Sequence, residues 1–544
     1  MKPSLWLCLI WIGLNCSLVV DGQEVEKASR WVDPETGRQQ VIRIAPETTV
    51  VLDPIDVQGF PDYIATFNAR GKTIKPEENA AVDLALIFGV FRDGVYGVND
   101  EDNLADFRRS VSEQMGIHED SEILLTETYP EYVERILEGT RLSQKAVEKK
   151  RLRLLTPYDK AIVWKRKDYP EMFAWLNKES TVQAIESLER MSNKSNFFWP
   201  CRLSVPDAEL PTFDAIQLGY LISSLQAGRL LAVSAMLDAG EARHADAIRK
   251  LTAAHRFAEL HRQQPHLSDR LYAAVIHLHL YSRDLALAQD PELPLESLVA
   301  YQDRIRQLDV SVNVTEAVDN YSRLTFLQTV CVIANRRIYN NASVLDTIRL
   351  INAKEEKVPF ILKILTLMEF DFNETLIGLN ERFDEIKSWS ILPKVERFRK
   401  YTELAKHRDK ESVHLETFDS LIGYFLGGPK VRGQLLARAL AGGDLQNLEG
   451  PIWIDDKLRM RKELVDIGFS LERYHRAHGK YPEQLDKLTP DYLASVPEDW
   501  FNGEELNYEV VNGEYRLYSV GVNTQQRGKL SSGLCVSSKG WEWE

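Results

Sequence analysis

The chain has 544 residues, long enough for about three or four domains of roughly 150 residues or for one extended helical array. Its 81 acidic against 67 basic residues leave a net charge of −14, which argues against a nucleic-acid partner, since a polyanionic backbone needs a basic face. Five cysteines, only three of them beyond a leader, cannot build a disulfide framework, so stability has to come from packing.

The first 22 residues read as a secretory signal peptide. Lys2 precedes an apolar run from Leu5 to Val20, and Val20-Asp21-Gly22 offers a cleavable edge. As a helix the run spans about 24 Å, short of the roughly 30 Å hydrocarbon layer, so an exported, periplasmic or extracellular product is expected, touching membrane only through an uncleaved leader. Gly13-Leu14-Asn15 before Cys16 departs from a lipid-attachment pattern, which wants Leu first and a small residue last. No second apolar run reaches about 18 residues, so a mature body without a membrane span is expected.

Residues 23–75 carry short β-branched pieces, Val41-Ile42-Arg43-Ile44 and Thr49-Val50-Val51-Leu52, between Asp-Pro and Gly breaks; loops and one or two short strands are expected there. A helical domain is expected over 76–455. Pro76-Glu77-Glu78 opens its first helix, with proline early and acids in the first turn. Ser180-Thr181-Val182-Gln183 reads as a capping box. The longest helical periodicity runs from Phe213 to Asp284, broken at Gly240 and Pro265. Its three helices carry the stripes Leu218, Leu221, Ile222, Leu225, then Ile248, Leu251, Ala258, then Leu271, Val275, Leu278. Asp246-Ala247-Ile248 with Leu251 and Ala254 matches the second helix of a tetratricopeptide repeat, although no second copy follows at a fixed period. Further helices are expected over Thr315–Ile338, Val358–Phe370, Thr375–Ile386 and Ser412–Leu426, with Gly427-Gly428-Pro429-Lys430 as a helix stop.

The end of the chain changes character. Lys457 to His478 is amphipathic, with Leu464, Ile467, Leu471 and Tyr474 on one face, and Thr489-Pro490 is expected to open a short helical turn. Leu506–Val511 and Glu514–Val520 flank Asn512-Gly513, the signature of a type I′ hairpin. The expected fold is therefore mainly α: an irregular bundle of helical hairpins, tetratricopeptide-like in part, with a small α+β module at 456–523 and a polar tail at 524–544.

Two resemblances accompany this reading. Pro61-Asp62-Tyr63-Ile64 with Lys75 to Val82, then Trp164, Tyr169-Pro170 and Trp175-Leu176-Asn177, and Arg229-Leu230-Leu231-Ala232 through Ala254-His255-Arg256 resemble blocks of exported proteins of planctomycete bacteria over about residues 60–290. That resemblance implies export and supplies no activity. His478-Gly479-Lys480-Tyr481-Pro482, Val496-Pro497, Asp499, Asn502-Gly503, Tyr508 and Tyr518-Ser519-Val520-Gly521 resemble the globular part of type II secretion pseudopilins, without that family's long apolar helix and prepilin-peptidase site. The second resemblance implies a calcium loop, for which Asp499, Glu504 and Glu505 are the available donors; such surface carboxylates are otherwise simply solvated.

Chemistry is sparse. Glu241 and His244 have the Glu-x-x-His spacing of di-iron bundles, and His255 shares the stripe of His244, but that chemistry needs two such motifs and two further glutamates. These histidines are expected to be hydrogen-bonded or exposed on helix faces. There is no Gly-x-Ser-x-Gly, Walker, Gly-x-Gly-x-x-Gly, His-Glu-x-x-His or Cys-x-x-Cys fingerprint. The leading expectation is a non-catalytic envelope protein that binds another protein. The alternatives are an exported hydrolase whose site forms only in the fold, and an accessory to secretion or pilus assembly.

Overall fold

The computed structural model describes residues 42–90, 101–201, 219–339, 370–389, 428–520 and 534–542, apart from a few positions inside those spans, together with 392, 396, 399 and 400. The signal peptide, the expected helices at 358–369 and 412–426 and the tail segment 521–533 lie outside the described residues. What is described is mainly helical with one small antiparallel sheet.

The helices in order are α1 (Tyr63–Asn68), α2 (Ala80–Phe88), α3 (Glu101–Met115), α4 (Tyr129–Leu137), α5 (Gln144–Asp159), α6 (Pro170–Leu176), α7 (Glu179–Met191), α8 (Tyr220–Gly240), α9 (His244–His261), α10 (Leu267–Ala288), α11 (Leu295–Gln307), α12 (Val314–Ala317), α13 (Arg323–Tyr339), α14 (Phe372–Ser388), α15 (Gly428–Asp444) and α16 (Glu449–His478). A π turn at Val318–Ser322 joins α12 to α13, so the expected helix at 315–338 is present with one widened turn.

Several local expectations are corrected. The β-branched pieces near residues 42–52 form bends and turns, because Thr48 and Thr49 tie their hydroxyls and amides back to Ala45. Pro76-Glu77-Glu78 is a separate 3₁₀ turn, and Asn79 caps α2 by accepting from Ala81. Ser180 sits inside α7, whose first residue is Glu179; the reciprocal cap belongs to Thr128, whose amide donates to Glu131 at 2.6 Å. Gly428 opens α15, and the helix expected before it lies outside the described residues. The turn near Thr489 is a 3₁₀ segment, Leu485–Leu488, that precedes it.

Helix α8 is the centre of the bundle. It is long and apolar enough to cross a membrane by length and composition, yet most of it is buried among its neighbours. From Ala227 to Gly240 almost every residue is inside, so the stripe expected from Leu221, Ile222 and Leu225 understates it. In α10 the inward side chains are Leu271, Ala274, Leu280 and Leu285, while Val275 and Leu278 are only half-buried. The loop after α5 returns against the end of α8, where the Trp164 indole donates to the Val233 carbonyl at 3.3 Å. Arg283 of α10, fully buried, donates to the carbonyls of Tyr158 (3.0 Å) and Lys160 (3.4 Å), which holds the C-terminal end of α5. Burial and the nearby Arg229 push that guanidinium down to about 9.

The boundary expected at 456 falls inside α16, which runs unbroken from Glu449 to His478. Its Leu464, Ile467 and Leu471 pack with Tyr515, Leu517 and Val536 of the sheet and with Leu285 of α10 in one cluster. The sheet has strands β1 (Asn507–Val511), β2 (Glu514–Ser519), β3 (Leu534–Ser537) and β4 (Gly540–Glu542), antiparallel in that order. Asn512 and Gly513 have φ of 55° and 81°, as a type I′ turn requires. The tail read as polar thus supplies two of the four strands, and Gln289, the residue that follows α10, donates to the Ser537 carbonyl at 2.8 Å.

Candidate functional site

The histidines of α9 and α10 face the interior as two buried polar networks. In the first, His255 Nε2 lies 2.9 Å from Asp284 Oδ2, and Tyr301 of α11 donates to Asp284 Oδ1 at 2.6 Å. His255 Nδ1 lies 2.9 Å from His277 Nδ1. A neutral pair satisfies all three bonds in one way: His255 donates from Nε2 to the carboxylate, and His277 donates from Nδ1 to the remaining His255 lone pair. His277 Nε2 is then a buried acceptor with no hydrogen-bond partner. Burial, then the neighbouring His255, hold the His277 imidazole far below its ordinary value, and burial with Asp284 raises the Tyr301 phenol. His279 turns to other surroundings, near Arg283 and Arg229, and burial lowers it as well.

The second network brings Ser224, His261 and Asp269 together from α8, α9 and α10. Ser224 Oγ is 2.6 Å from His261 Nε2, and His261 Nδ1 is 3.4 Å from Asp269 Oδ1. This is the order of a serine nucleophile, base and orienting acid. The environment works against that use. All three side chains are fully buried, Ser224 Oγ donates to the Tyr220 carbonyl of its own helix at 2.9 Å, and Tyr220 donates to Asp269 Oδ1 at 2.6 Å. Phe197 lies 4.2 Å and Phe257 5.1 Å from the imidazole centre, so a substrate carbonyl has no place beside the hydroxyl. The network joins three helices.

Against this geometry the sequence-chosen metal candidates do not converge. Glu241 accepts from the Arg166 amide at 3.1 Å, His244 Nε2 sits 3.0 Å from Asp290, and His255 is committed to Asp284 and His277. Among the described residues no three His, Cys, Asp or Glu side chains group as a metal site needs. In the C-terminal loop Asp499 is buried and accepts from Ser519 Oγ (2.8 Å), the Val520 amide (2.7 Å) and the Phe501 amide (3.0 Å). Glu504 and Glu505 stand on the surface, with Glu504 accepting from the Asn502 amide group at 3.0 Å. The one inward carboxylate of the three is thus engaged by protein donors, and the other two are exposed.

Sequence reasoning missed Asp284, Tyr301, Ser224 and Asp269. A signal existed for part of it, since His277, Tyr281 and Asp284 recur at i, i+4, i+7 and Tyr220 and Ser224 at i, i+4, which are polar stripes on helices otherwise apolar. No family model matches the chain, and no curated protein or solved structure matches it.

The surface offers unpaired backbone capacity. Val510, Val511, Tyr518 and Val520 are four of the exposed large apolar side chains, all on the β1–β2 hairpin and its exit, and Val511 is 53% exposed. Strand β1 forms an edge of the sheet. Val511 and Glu514 flank the two-residue turn and form its hydrogen-bonded pair, so by alternation Tyr508 and Val510 turn their N–H and C=O groups outward. Among the described residues no backbone group meets those four.

Proposed function

We propose that this is a non-catalytic, exported protein of the cell envelope whose helical body holds out the C-terminal sheet to a protein partner, which adds an extended segment beside β1. The open β1 edge with its exposed valines carries this reading. Main-chain groups of Tyr508 and Val510 supply affinity to any strand laid alongside, and side chains alternating across Val510 and Val511 supply selectivity. Glu509 on the outward-facing pleat stands opposite Arg516 of β2 at 4.0 Å, so the exposed face of the hairpin beside the edge carries both signs of charge. The interior histidines are consistent with the same reading, since His255 and His261 each hydrogen-bond to a side chain of another helix from inside the core.

The test places a photo-activated cross-linking residue at position 511 of the full chain in its native cells. One discrete adduct is expected, and it is expected to vanish on Val510→Pro, which removes an outward N–H without breaking the ladder to β2. No adduct, or an adduct indifferent to Val510→Pro in a protein with unchanged melting temperature, overturns strand addition.

A further inference from the structure

We propose that the outward face of α5 docks the protein on a bilayer surface bearing anionic phospholipid headgroups. Between residues 145 and 168 stand nine basic residues and three acidic ones, in a chain whose net charge is −14. On α5, Lys145, Lys149 and Arg153 recur at i, i+4, i+8 and Leu152 falls between them, so the four share about 100° of arc along about 12 Å of helix. All four are exposed, and Leu152 at 62% is the most exposed large apolar side chain among the described residues.

The pairing pattern separates this stripe from an ordinary solvated helix face. Arg151, turned toward α4, is matched by Glu134 at 2.6 and 2.7 Å and by Glu148 at 2.5 Å. That arrangement also ties up the nearest carboxylate of the outward face. Among the described residues Lys145, Lys149 and Arg153 take part in no ion pair, so three cations stand unneutralised around one protruding leucine. Headgroup phosphates satisfy the cations while Leu152 enters the acyl boundary, the two contacts an interfacial helix makes together. An acidic protein segment would answer the cations and leave Leu152 in water. Arg283 and Arg151 fix α5 to the body at its end and its middle, so the stripe is presented as a rigid face rather than a floppy arm. This inference is independent of the β1 edge.

The experiment is co-sedimentation of the full chain with phosphatidylcholine vesicles, with and without phosphatidylglycerol. Binding is expected only to the anionic vesicles and is expected to be lost at high salt. The variant K145E/K149E/R153E is expected to bind about a hundredfold more weakly or worse, Leu152→Ser several-fold more weakly, and Lys487→Glu, far along the chain, like the parent. Melting temperatures matched to the parent exclude misfolding, and Leu152→Ser leaves the charges intact should the triple variant fail to fold. Equal binding to neutral vesicles, or a folded triple variant that binds as the parent does, overturns the proposal. So does retention on immobilised polyglutamate without vesicle binding, which would assign the face to an acidic protein.

Discussion

Glu472 shows how a single buried group couples this protein to pH. It lies on α16 against Tyr481, whose hydroxyl donates to it at 2.9 Å, with Arg476 and Tyr515 also near, and burial lifts its carboxyl to about 7. The folded chain therefore holds this proton more tightly than the unfolded chain does. Stability from it is fully present below the unfolded carboxylate range near 4.5 and is lost as pH rises toward about 7, a contribution of at most about 3 kcal/mol. Glu472→Gln keeps the shape and removes the titration. Urea denaturation is expected to find the variant and the parent alike at acidic pH, and the variant relatively more stable by about 1 to 3 kcal/mol above pH 7. A pH-independent difference would show that the carboxyl does not carry this coupling. His277 works in the opposite sense, since its depressed imidazole resists the proton that an unfolded histidine accepts as pH falls through the usual range. The two groups therefore act in opposite directions over overlapping pH ranges below neutrality, and only the difference between parent and variant isolates either.

At the scale of elements, glycines mark where helices meet backbone. Gly240 was legible as a break in periodicity, and the structure makes it the last residue of α8, where an added Cβ would lie 2.0 Å from the Trp164 carbonyl oxygen. Backbone cannot step aside as a side chain does. Gly240→Ala is expected to lose about 3 kcal/mol or more. Gly468 on α16 faces the Leu285 Cδ1 at 2.8 Å, the end of a flexible side chain, so Gly468→Ala is expected to cost less than half of that. Similar losses for both, measured by chemical denaturation, would contradict this view of the α8–Trp164 joint. The same distinction explains what could be read beforehand. Helix existence at 220–288 and the Asn512-Gly513 hairpin follow from local spacing and turn chemistry. Strands β3 and β4 do not, because Leu534–Ser537 offers four residues among serines and glycines and gains its burial only by pairing with β2. The surroundings of the metal candidates were illegible for a related reason: Glu-x-x-His spacing describes one helix, whereas the partners of His244 and His255 come from α10 and the turn after it.

For the whole molecule, the position of α16 decides whether the C-terminal module is a unit in its own right. Asp466 on this helix receives Arg306 at 2.8 Å and Gln302 at 2.6 Å from α11, and Ser470 receives Gln302 at 2.8 Å. Arg476 donates to the carbonyls of Leu293, Ala288 and Asp290 at 2.5, 2.9 and 2.8 Å, satisfying acceptors at and just past the end of α10 with a cation where the helix dipole favours one. Leu285 of α10 lies in the module's own core. These contacts join groups more than 150 residues apart in sequence, so neither part completes its burial alone. A chain ending at residue 448 would expose Leu285 and leave the carbonyls at the end of α10 to water. Such a truncation is expected to lose cooperative thermal unfolding of its helices, and the intact chain is expected to melt its helices and its sheet together, followed by circular dichroism and by the fluorescence of Trp500, whose indole donates to Asp456 of α16 at 2.8 Å. Should residues 1–448 melt cooperatively at the parent temperature, the module would be an appended domain, and a sheet so appended could not transmit force or position from a partner at β1 to the helical body.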